Sequence, residues 1–151
     1  MANCASSGLY MLFTGIEAAI IAQLLKFFGY ILLNQKIDWR MLVTTGGMPS
    51  SHSAGVVGLT TAVAIVCGIN SVEFAISTTY ALVVMYDAAG LRRSAGKMAQ
   101  CLNRIMDDIY QHNPIDAGHK LKELLGHTPL EVFLGAITGI IIAYINFVLL
   151  L

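Results

Sequence analysis

Nine residues, Gly46-Gly47-Met48-Pro49-Ser50-Ser51-His52-Ser53-Ala54, put two glycines, several hydroxyls and an imidazole where an apolar helix begins. The first N–H groups of a helix have no intrahelical partner and carry partial positive charge, which makes a helix start an anion site. His52 sets an acid–base group beside it. Two further clusters are of the same kind. Asp87-Ala88-Ala89-Gly90-Leu91-Arg92-Arg93 closes one apolar run, and Gly126-His127-Thr128-Pro129-Leu130-Glu131 opens another. Together they offer two histidines, two arginines and two adjacent serines, a set that suits phosphoryl transfer. Arginines hold phosphate oxygens bidentately. A neutral imidazole can attack phosphorus, and a second, protonated one can donate to the leaving alkoxide. A carboxylate four residues after the nucleophile lies one helical turn on and can fix its tautomer, the orienting logic of a catalytic triad. These steps require no metal and no cofactor.

The surrounding chain is a membrane protein by composition. It has 151 residues, 56% hydrophobic and 12% charged, against roughly 25% charged in soluble domains. A bilayer core about 30 Å thick takes roughly 20 apolar residues as helix, and four segments qualify: about 9–33, 53–69, 72–89 and 129–151. The expected class is all-α, an integral membrane helical bundle forming one domain over 1–151. The first run lacks a basic leader and a convincing cleavage site, so it reads as a retained span and not a signal peptide. The second is rich in Gly, Ala, Ser and Thr and is expected inside the bundle. Gly135-x-x-x-Gly139 in the fourth is a packing motif, within the chain or between copies of a homo-oligomer. Gly68-Ile69-Asn70-Ser71 reads as a tight turn. A polar helical insert, about 94–127, separates spans three and four. In it Met98, Leu102, Ile105 and Ile109 recur at helical spacing among Lys97, Arg104, Asp107 and Asp108, as on an amphipathic surface or capping helix. A second short helix is expected from about Ala117 to Leu125, with His112 and His119 facing solvent. Cys4, Cys67 and Cys101 are far apart and odd in number, and read as buried thiols.

Charge is lopsided. Lys36 and Arg40 follow span one; Arg92, Arg93, Lys97, Arg104, Lys120 and Lys122 follow span three. The N-terminus, the 68–71 turn and the C-terminus carry no lysine or arginine. The positive-inside rule places the charged loops, and with them all three clusters, in the cytoplasm. The net charge is zero and there is no basic tail, so nucleic acid is not an expected partner. Glu17 and Lys26 fall within span one, where an ionisable group implies function or a buried pairing. At nine residues apart they are about 13 Å distant along a helix and do not meet.

Plain structural roles compete for the same residues. Thr128-Pro129-Leu130-Glu131 fits a capping box, with Thr at N-cap, Pro at N1 and Glu at N3. Ser50 or Ser51 can cap span two. Arg92 and Arg93 can act as topology determinants, and Asp87 can pair with one of them. A Mg²⁺ site on Asp87 and Glu131 lacks metal-ligand spacing.

Pro49-Ser50-Ser51-His52 resembles the Pro-Ser-Gly-His motif of the type 2 phosphatidic acid phosphatase (PAP2) and vanadium haloperoxidase superfamily. His127-x-x-x-Glu131-Val132-x-x-Gly135 is similar to its third motif, His-x-x-x-Asp followed by a helix with a nearby glycine. The chain as a whole resembles the divergent PAP2 family, whose marks read here at 46–54, 86–93 and 121–129. The resemblance implies His127 as nucleophile, Glu131 as its orienting carboxylate and His52 as the acid for the leaving group. It implies Ser50, Ser51, Arg92, Arg93 and a first-motif lysine as phosphate ligands, with Asp87 in support. Lys26 is the candidate for that lysine, ahead of Lys36 and Arg40. The chain departs from the superfamily pattern at Ser51, where glycine is usual. It lacks Lys-x6-Arg-Pro, places His127 34 positions after Arg93, and keeps four of six spans.

The expected function is therefore a metal-independent membrane phosphatase, working through a phosphohistidine on a lipid phosphomonoester or diphosphate. Phosphatidylglycerophosphate and phosphatidic acid are examples, and a bacterial cytoplasmic membrane is the expected setting. The alternatives are a non-catalytic lipid-phosphate binder or a subunit of a membrane complex. A small transporter predicts polar linings of spans two and four, which show few polar residues, and a haloperoxidase does not suit a membrane surface.

Overall fold

The computed structural model describes residues 4–43, 46–110 and 126–150, with the side chains of 91–93, 107–110 and 150 outside that description. The second short helix expected near 117–125, with His112 and His119, lies outside the described residues. Five helices carry the fold: α1 Gly8–Asn34, α2 Ser51–Cys67, α3 Val72–Ala89, α4 Leu91–Tyr110 and α5 Pro129–Leu150. Among the described residues, three stretches are long and apolar enough to cross a membrane: α1, the run Val72–Met106 through α3 into α4, and α5. Helix α2, at 17 residues, is shorter.

Helix α2 is the centre of the bundle, packed by α1, α3 and α5. Its small residues explain why. A Cβ at Gly58 would meet Ala18 Cβ at 2.8 Å, and one at Gly15 of α1 would meet Leu59 Cβ at 2.9 Å. Gly135 and Gly139 of α5 lie against the backbone carbonyls of Ser50 and Ala54. The Gly135-x-x-x-Gly139 face is thus used within the chain, on α2. Lipid tails are as apolar as leucine, so close packing takes the place of the hydrophobic effect in holding such helices together. The core is accordingly alanine-rich, with Ala18, Ala22, Ala54 and Ile142 in one cluster and Met11, Ala62 and Val63 in another. Larger side chains such as Phe13, Leu32, Leu82, Ile140 and Val148 face outward.

The 68–71 turn forms as expected. Gly68 takes φ 86° at the end of α2, and Ser71 caps α3 by accepting the Phe74 N–H at 3.1 Å. Gly90 ends α3, but helix resumes at Leu91, so Arg92 and Arg93 start α4 and do not trail α3. Among the described residues of α4, Gly96, Ala99 and Asn103 are buried, while Met98, Leu102 and Ile105 are exposed. That outward apolar stripe suits a helix lying at a membrane interface.

One expectation is corrected. Cys4 and Cys67 form a disulfide, with Cα atoms 4.9 Å apart, and Cys101 is exposed, so the three cysteines are not buried thiols. An odd count hid a pair. The antiparallel course of α1 and α2 returns the end of α2 to the N-terminus, 63 residues away in sequence. Both ionisable groups of α1 have polar neighbours: Asn146 Nδ2 donates to Glu17 Oε2 at 2.6 Å, and Lys26 Nζ donates to Gln23 Oε1 at 3.1 Å.

Candidate functional site

Three helix ends meet at one end of the bundle, joined by backbone hydrogen bonds. The His127 N–H donates to the Ala88 carbonyl at 2.9 Å, tying the start of α5 to the end of α3. The Ser50 N–H donates to the Glu131 carbonyl at 3.1 Å, tying α5 to the start of α2. The loop before α2 turns through Gly46 and Gly47, at φ 112° and 84°, and Gly126 takes 92° ahead of α5. These backbone values are ones that residues with a Cβ rarely adopt. Gly46 passes the Gly126 carbonyl, and Gly47 lies on the Lys26 side chain. Upstream, Gln23 Nε2 donates to the carbonyls of Met41 and Leu42 at 2.9 and 3.0 Å, and Trp39 stacks on Phe27. The segment entering the glycines is thereby held to α1.

The clearest chemistry is at His127, which is 3% exposed. Its Nδ1 lies 2.9 Å from Glu131 Oε2. A carboxylate accepts, so Nδ1 carries the hydrogen and the lone pair of a neutral ring sits on Nε2. That Nε2 is buried with no hydrogen-bond partner among the described residues. Buried polar atoms are nearly always paired; Tyr10 Oη and Thr78 Oγ1 share this state, and Nε2 is set apart by the second imidazole beside it. The His52 ring faces it, with centroids 6.1 Å apart at 63°.

Glu131 serves cap and imidazole together. Its Oε2 accepts the Thr128 N–H at 3.3 Å, while the Thr128 hydroxyl accepts the Glu131 N–H at 3.3 Å. The capping box and the orienting contact coexist because both targets lie within one turn of the helix start. Lys26 is 4% exposed, its side chain packed against Gly47 in the turn before α2.

The two serines differ. Ser50 is fully buried as the N-cap of α2, its Oγ accepting from the Ser53 N–H and hydroxyl at 3.3 and 3.1 Å. Ser51, half-buried at the first helical position, lies beside His52 on the wall of an open groove. Asp87 occupies the last turn of α3, next to the carbonyl that holds His127. The arginine side chains lie outside the described residues; their backbone lies in the first turn of α4, just beyond Gly90. The structure therefore brings His52, His127, Glu131 and Lys26 to one locus, with Ser51 and Asp87 at its margins. Gln23 was missed by sequence reasoning. An amide three residues before a buried lysine, on one face of an apolar helix, was its signal.

The model of the divergent PAP2 family matches residues 9–142. The chain is 39% identical over 146 residues to the membrane protein YuiD of Bacillus subtilis (strain 168), covering 90% of this chain and 92% of that one; YuiD is described as uncharacterized. No solved structure matches the chain.

Proposed function

Because the chain belongs to the divergent PAP2 family, we propose that it is a membrane phosphatase acting on a lipid phosphate through a phosphohistidine. The observation that carries this reading is the orphaned, buried Nε2 of His127, whose other nitrogen is held by Glu131. Nε2 attacks phosphorus, and the bond to the ester oxygen breaks. His52 gives its proton to the leaving alkoxide. Water then attacks the phosphohistidine, His52 takes a proton from it, and inorganic phosphate leaves as Nε2 recovers its lone pair. The Glu131 carboxylate stabilises the cationic ring of the intermediate. Lys26, the Ser51 hydroxyl, the N–H groups at the start of α2, and Arg92 and Arg93 supply charge and hydrogen bonds for the phosphate oxygens.

The site faces the cytoplasm in this reading. Lysines and arginines gather at its end of the bundle. The Cys4–Cys67 disulfide lies at the opposite end, and disulfides persist in oxidising compartments. The free thiol of Cys101 follows α3 on the site side.

Phosphate release from phosphatidic acid or phosphatidylglycerophosphate by the purified protein tests the activity. Acid-stable protein phosphate should be absent, and base-stable phosphohistidine should be trapped on rapid quenching of wild type but not of His127→Ala. Full turnover by His127→Ala would overturn the mechanism. Binding of lipid phosphate with no turnover would instead favour a non-catalytic lipid-phosphate binder.

A further inference from the structure

His52 and Ser51 also form the polar end of a groove of about 450 Å³ between α1, α2 and α3. Its other walls are apolar and descend in register. Helix α1 runs toward the site, so Ala19, Ile16 and Leu12 lie progressively deeper; α2 runs away from it, so Leu59 is deep. Tyr80 lies deeper than Val84 on α3. Ser51 to Leu59 covers about 12 Å at 1.5 Å per residue, against about 15 Å for one leaflet of a 30 Å hydrocarbon core. The groove thus lies within the leaflet on the site side. Its back wall is the tight α1–α2 crossing, where a Cβ at Gly55 would meet Ala19 Cβ at 3.2 Å. Its rims, Leu12, Ile16 and Tyr80, are exposed, so it opens sideways to the bilayer.

We propose that this groove holds one hydrocarbon chain of the phosphate-bearing lipid, with Leu59 at its deep end as the floor that sets chain preference. The proposal rests on the phosphatase reading and names how its substrate enters: laterally, from the cytoplasmic leaflet. The occupant follows from the groove's continuity with the histidine site and from its size. A helix from a second copy, 10–12 Å across, would need roughly 1,000 Å³ over the same length. A single alkyl chain is narrow enough, and only an amphiphile uses both the apolar walls and the imidazole end. A water-soluble phosphate ester would leave the walls uncovered.

The test uses the full chain in phosphatidylcholine vesicles with phosphatidic acid bearing a diazirine on one acyl chain. Crosslinks should concentrate on Leu12, Ile16 and Leu59, and excess unlabelled phosphatidic acid should compete where phosphatidylcholine does not. Equal labelling of the outward faces of α3 and α5, or equal competition by phosphatidylcholine, would overturn the proposal. Ile16→Trp should fill the groove, reducing its labelling and lowering several-fold the ratio of dioleoyl to dibutyryl phosphatidic acid turnover. Leu82→Trp, on the lipid-facing side of α3 outside the groove, should leave that ratio unchanged. An unchanged ratio in Ile16→Trp counts against the groove. Groove labelling without phosphate release by wild type defeats the phosphatase reading alone; phosphate release without groove labelling defeats the groove alone.

Discussion

Nδ1 of His127 lies 2.9 Å from Oε2 of Glu131, and that same oxygen accepts the Thr128 N–H. One carboxylate therefore fixes both the start of α5 and the tautomer of the imidazole. Structure and chemistry depend on it in different ways, and substitutions can separate the two.

Glu131→Gln keeps a capping-box residue at N3 but removes the negative charge. Its melting temperature should stay close to wild type, while turnover falls by about 10²–10⁴-fold, the range for loss of an acid–base or orienting group. Glu131→Ala should lose turnover and stability together. Thermal denaturation in detergent beside phosphate release reads both, and near-normal turnover in Glu131→Gln would remove the orienting role.

His52→Ala tests a different step. If His52 protonates the leaving alkoxide, its loss should depress turnover of an alkyl phosphate by on the order of 10²–10⁴-fold. An aryl phosphate with an acidic leaving phenol should suffer much less. Equal losses on both substrates would assign His52 to binding instead.

Gly135→Ala and Gly139→Ala drive a methyl group into the carbonyls of Ser50 and Ala54. Overpacking of this kind typically destabilises by about 1–3 kcal/mol. Gly135→Ala should also disturb Ser50, two residues before His52, and so reduce turnover more than Gly139→Ala does. Equal turnover in the two variants would show that the Ser50 contact does not position the site.

Glu17→Leu removes the partner of Asn146, which is buried within the bundle, and should destabilise by roughly 1–3 kcal/mol, the penalty for stranding a buried polar group. Glu17→Leu combined with Asn146→Leu should recover part of that loss. A double-mutant cycle on melting temperature measures the coupling, and additive losses would show that the pair contributes none.

Orientation is tested at the exposed turn between α2 and α3. Asn70→Cys in a Cys101→Ser background should react with a membrane-impermeant maleimide in intact cells. Reaction only after lysis would place the histidines on the outer face.

Much of this layout was legible in the sequence, for identifiable reasons. Apolar runs bounded by Gly and Ser mark helices without ambiguity, so α1, α2, α3 and α5 fall near their expected bounds. Alternating direction sends Ser50, Ala88 and His127 to one level, and the backbone hydrogen bonds among these segments show it. The unequal fates of Ser50 and Ser51 were not legible. Both satisfy the composition of a helix cap, and only the approach of Gly135 decides that Ser50 is sealed while Ser51 lines the groove. The start of α4 was misplaced because Gly90 resembles a stop, and a single glycine can end one helix directly before another. The disulfide was hidden for the opposite reason: its two partners belong to ends whose meeting is a property of the bundle, not of any local pattern.

The Cys4–Cys67 bond closes a covalent ring around α1 and α2, with Lys26 and His52 inside it and His127 outside. Synthesis is vectorial, and N-terminal segments insert first. Once Cys67 has crossed the membrane, the ring can shut before α5 has left the ribosome. Lys26, Ser51 and the start of α2 are then fastened together while His127 is still being made. The last helix to arrive brings His127 to that helix pair, and its Glu131 carbonyl then takes up the Ser50 N–H and closes the start of α2.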